Sequence, residues 1–73
     1  MTEYEALIDG KWCPFYAGHT NLFDEFEINN TFDITKDKEV YGRAIVGIVS
    51  WRPAYMYHTF KTTSIRIKKP NVS

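Results

Sequence analysis

The sequence predicts a mainly β protein: a small antiparallel meander or barrel of five to six strands, of OB- or SH3-domain size, with room for one short helix near residues 20–27. Three observations lead there. Apolar and polar residues alternate with period two along most of the chain, as half-buried strands require. Turn-forming pairs interrupt that alternation at close spacing. The chain has 73 residues, 44% hydrophobic and 16% aromatic, enough for one thin core. The expected organisation is a single domain over residues 1–69 with a frayed tail at 70–73.

Tyr4, Ala6 and Ile8 alternate with Glu5 and Asp9 in a first strand. Asp9-Gly10 suits a two-residue hairpin, because a type I′ turn needs positive φ at both central positions. Lys11 to Tyr16 is the return strand. Pro14 lacks an N–H, which predicts an edge position or an early break. Gly18 marks a loop over residues 17–21. The next segment reads two ways. Thr20 or Asn21 suits a helix N-cap, with Asp24 and Glu25 in the first turn. Phe26 and Ile28, however, alternate with Glu25 and Glu27 as in a strand. A short helical turn leading into a strand at Phe26 accommodates both.

Asn29-Asn30 reads as a turn, since Asn tolerates the left-handed conformation. Phe32 and Ile34 then alternate with Thr31, Asp33 and Thr35, and residues 36–39 form a charged turn. Residues 40–51 hold the strongest strand. Val46, Ile48 and Val49 put apolar groups on both faces, which predicts a central strand covered on both sides. Gly42 and Gly47 within it suit a bend or bulge. From Ala54 to Phe60 the alternation resumes, with a helix opened by Pro53 as the rival reading. Ile65 and Ile67 alternate with Arg66 and Lys68 in a last strand. Ile8, Ile45, Val46, Ile48 and Ile67 are the expected core.

Charge is segregated along the chain. Residues 1–39 hold all nine acids and three bases, while residues 40–73 hold six bases and no acid. Either acidic strands pair with basic ones across the ladders, or the molecule has one negative and one positive face that orient a partner.

Catalytic and metal chemistry find little footing. Cys13 is the lone cysteine, with His19 and His58 the only imidazoles. Cys13 has no surrounding nucleophile motif, and Trp12, Pro14 and Phe15 beside it suggest packing. A closed zinc site needs four ligands, usually as close-spaced pairs, and no such pair exists. Isolated glycines form no phosphate loop. The expectation is a non-enzymatic protein without cofactor or metal. A lone thiol and the lack of an apolar leader or long apolar run suggest a cytoplasmic protein that does not enter a membrane.

The most suggestive constellation lies toward the C-terminus. Trp51, Arg52, Tyr55, Tyr57, Lys61, Arg66, Lys68 and Lys69 mix aromatic rings with bases. Tyr, Trp and Arg are the usual hot-spot residues of protein interfaces. If the last two strands pair, as sequential strands usually do, these residues form one basic patch. The first expectation is docking on a larger macromolecule, foremost a host or cellular protein, to inhibit or regulate it. Small proteins without catalytic residues, those of viruses and mobile elements included, are often accessory in this way. The alternative is a small barrel that binds single-stranded nucleic acid by stacking bases on aromatics and neutralising phosphates. Against it stand the zero net charge and a pI near 6.7. The acidic run Asp24-Glu25-Phe26-Glu27 is the next candidate surface.

Overall fold

The computed structural model describes residues 2–68; Lys69 and the tail expected at 70–73 lie outside them. The chain folds as β1 (Tyr4–Ile8), β2 (Lys11–Thr20), β3 (Phe26–Ile28), β4 (Glu39–Val49), β5 (Arg52–Lys61), a 3₁₀ turn (Thr62–Ser64) and β6 (Ile65–Ile67). All pairings are antiparallel, in the order β5-β4-β2-β1-β6, with β3 on the far end of β2. β1 and β5 line a common cleft, so the sheet curls. No ladder joins β5 to β6, so it is a meander and not a closed barrel. No helix among the described residues is long and apolar enough to cross a membrane.

Two tight hairpins set this order. Asp9 and Gly10, at φ 49° and 79°, join β1 to β2 as their residue types predict. Ser50 and Trp51, at φ 51° and 66°, join β4 to β5 by the same left-handed turn without the usual Asn or Gly. β2 is central, contrary to the edge position that Pro14 suggested. Proline acts more locally. The β2–β4 ladder runs from Ala17–Gly42 to Phe15–Ala44. Next in register, opposite Ile45, stands Pro14 with no N–H to offer, and the ladder stops.

No helix forms at 20–27. Asn21 does take up the orphan donors a cap would: its Oδ1 accepts from the N–H of Phe23 at 2.8 Å and of Glu25 at 3.1 Å. Asp24, however, lies at φ 59°, which reverses the chain into β3. The Asn30 side chain stitches another junction. It accepts from Ala17 N–H and donates to the Thr2 carbonyl, each at 3.1 Å.

The core is one face of the sheet: Tyr4, Ala6, Phe15, Ala17, Val40, Ala44, Phe60 and Ile65, with Phe32 and Ile34 of the β3–β4 connection packed against it. That connection is held down by buried Thr62. The Thr62 hydroxyl donates to the Lys36 carbonyl at 2.8 Å and accepts from Lys38 N–H at 3.2 Å.

The expected core was mostly elsewhere. Ile8 and Ile45 are partly buried, while Val46, Ile48 and Ile67 are 46%, 76% and 47% exposed. For Val46 and Ile48 the reason is the early end of the β2–β4 ladder, whereas Ile67 lies on β6, at the end of the strand order. β4 is the longest strand, but only its first half has a neighbour on each side.

Candidate docking surface

Beyond Ala44, β4 has only β5 for a partner. The bulge at Val46, where Ile45 faces Tyr55 but Gly47 faces Ala54, bends the ribbon. Residues 47–53 then form a two-stranded finger with no third strand. A lone hairpin in water is marginally stable at best. This one is also apolar: Ile48, Val49 and Trp51 are 76%, 65% and 97% exposed, and Arg52 is its single charge. Trp51 is the unusual residue. An L-residue in the left-handed region costs about 1–2 kcal/mol, and Trp51 buries nothing in return.

The finger continues into the outer face of the sheet. Pairing of Arg43 with Tyr57 and Ile45 with Tyr55 places these side chains opposite the core, beside Tyr41. Phe26 of β3 packs among them, 5.3 Å from Tyr57 and 6.2 Å from Tyr41 between ring centroids. The Arg43 guanidinium lies 4.2 Å from the Tyr55 ring centroid and 5.1 Å from that of Phe26. Gly18 makes room for the Phe26 ring, whose Cζ stands 2.6 Å from where a β-carbon would be.

Most strand aromatics divide by parity. Tyr4, Phe15 and Phe60 serve the core, with Phe32 of the β3–β4 connection packed against it; Phe26, Tyr41, Tyr55 and Tyr57 gather on the outer face; Trp51 and Phe23 sit at turn tips.

The basic residues do not assemble as one patch. Trp51 and Arg52 are at the finger tip, with Tyr55 and Tyr57 behind it on β5. Lys61 is at the far end of β5, in register with Glu39. Arg66 and Lys68 follow the other edge of the sheet, because β6 pairs with β1 and not with β5. Arg66 is already engaged: its Nε lies 3.0 Å from Glu5 and its guanidinium 4.1 Å from the Trp12 ring centroid. Acidic and basic segments thus interleave across the ladders. Sequence reasoning missed Arg43, Tyr41, Ile48 and Val49, and took Phe26 as part of an acidic surface. Parity in β4 carries a signal for Arg43, a lone charge between Tyr41 and Ile45 in an apolar strand.

The acidic segment occupies the β2–β3 turn. Glu27 pairs with His19 at 3.0 Å and accepts from the Asn21 side-chain amide at 3.1 Å. Leu22 and Phe23, 99% and 82% exposed, form a second apolar tip there. Among the described residues, no three His, Cys, Asp or Glu side chains cluster to hold a metal ion. Cys13 packs against the core, its Sγ 3.8 Å from the Lys11 carbonyl oxygen.

Compared with known protein families, curated proteins and solved structures, the chain matches none at a significant level.

Proposed function

We propose that this protein is a non-enzymatic, cytoplasmic binding module that docks on a larger protein and inhibits or redirects it. The observation that supports this reading is Trp51: a large aromatic side chain, 97% exposed, held at φ 66° on an unsupported apolar finger. It contributes neither burial nor turn propensity to this chain. Strained backbone at a projecting side chain points to use in recognition. Trp is also a frequent anchor of protein interfaces, where it fills a pocket in the partner.

The experiment separates function from stability. Ser50→Asn with Trp51→Gly installs the residues that a type I′ turn prefers. The double variant is expected to gain about 1 kcal/mol in stability by relieving the left-handed tryptophan. It is also expected to lose capture of the partner that the tagged wild-type protein retains from its native host. Undiminished capture of the same partner by the stabilised variant would overturn the reading.

The outer face supports a second reading, a single-strand nucleic-acid binder. Exposed rings beside arginine are the chemistry such proteins use. The interleaving of acids and bases weakens it, because a phosphate backbone is held by several cations together.

A further inference from the structure

Two arginines in this protein lie against aromatic rings, and they differ in one respect. Arg66 stacks on Trp12 and is completed by the Glu5 carboxylate at 3.0 Å. Arg43 is stacked more extensively, against Tyr55 and Phe26, yet among the described residues no carboxylate lies within ion-pair distance of it. Its Nε is buried with no hydrogen-bond partner. Within the β4–β5 hairpin the one acid is Glu39, in register with Lys61 at the far end, and the sequence has none after it.

We propose that Arg43 anchors a carboxylate of the docking partner, so that the outer face takes a protein segment that presents one carboxylate while the finger makes the apolar contact. This inference rests on the docking function proposed above. Its physical basis is pre-organisation. A guanidinium already fixed between rings loses little freedom when it forms a forked pair with a planar carboxylate. Tyr41, Tyr55 and Tyr57, each partly exposed, share this face, and each carries a hydroxyl able to donate. The single cation favours a protein segment with one carboxylate over a nucleic acid. Arg43 is the single cation that lies against Phe26 and Tyr55. One carboxylate is matched by one guanidinium, whereas a row of phosphates finds too few cations.

The test is an NMR titration of the full chain with hexaglutamate, with hexaglutamine and a single-stranded oligothymidylate as parallel probes. Hexaglutamate is expected to shift the Arg43 side-chain N–H signal and the Tyr55 and Tyr57 resonances, and hexaglutamine to leave them in place. Arg43→Gln is expected to weaken hexaglutamate binding about tenfold or more. Arg43→Lys is expected to weaken it too, because an ammonium keeps the charge but loses the fork and the stack. Lys11→Gln, on the opposite parity of β2, controls for general charge. The amide spectrum of each variant reports its fold, and Arg43→Lys carries the test if Arg43→Gln does not fold. Shifts confined to other cations, or equal affinity in the Arg43 variants, would overturn the inference. So would tighter binding of oligothymidylate at the same residues. Loss of the carboxylate effect with Trp51-dependent capture intact would remove this inference alone and leave the docking function standing.

Discussion

The ring of Phe15 lies across the α-carbon of Gly42, its Cζ 2.6 Å from the point where a β-carbon would stand, with the Tyr16 carbonyl oxygen 2.4 Å from that point. The glycine in β4 therefore answers to the phenylalanine in β2. Backbone on one side and the fully buried ring on the other leave a methyl group nowhere to go. Gly42→Ala is expected to destabilise the protein by about 1–3 kcal/mol through overpacking. Urea unfolding at constant slope checks this. A loss below about 0.5 kcal/mol, the range of neutral surface changes, would show that the β2–β4 ladder yields.

Core and finger isoleucines are expected to behave oppositely. Ile65 is 5% exposed and Ile48 76% exposed. Ile65→Ala should cost about 2–5 kcal/mol, a large share of the stability of so small a domain. Ile48→Ala should stay within about 0.5 kcal/mol, while weakening partner capture. Thermal melts of the two variants beside wild type decide it, and equal losses would put Ile48 in the core after all.

Thr62 holds the β3–β4 connection down on the core through two hydrogen bonds of one hydroxyl. Thr62→Val keeps the shape and removes both, leaving the Lys38 N–H without its hydroxyl acceptor. The expected cost is about 1–3 kcal/mol. Amide hydrogen exchange should quicken at Lys38 first, and unchanged exchange there would contradict the assigned role.

The same connection carries a pH signature. The hydroxyl and then the backbone N–H of Thr35 donate to the Asp33 carboxylate, with Lys38 adding a smaller attraction, and together they hold its pKa below the ordinary 3.8. A lowered folded pKa means that the stabilisation is present above the unfolded value, about 3.9, and is lost as pH falls through the folded one. Thr35→Val removes the largest cause, so the Asp33 pKa should rise toward its ordinary value. Carbon-detected titration of the carboxyl group reads this directly, and an unmoved titration would show that the hydroxyl does not set it.

Much of this protein is decided locally. Period-two alternation determines that it is a β protein, and Asp9-Gly10 determines its first hairpin, because steric preference acts between neighbouring residues. The glycine-containing bulge in β4 and the capping behaviour of Asn21 are equally local. What the chain could not declare by itself is which residues find a third partner. An apolar run such as residues 44–49 has the same pattern whether it is covered or left bare. Its fate depends on how far β2 runs beside it, and that ladder stops where Pro14 comes opposite Ile45. Pairing of β6 with β1 likewise sends Arg66 to Glu5 and away from the tyrosines, because strand order is a long-range choice. Parity separates the faces of a strand, but only the assembled sheet decides which face becomes the core and leaves Trp51 in solvent.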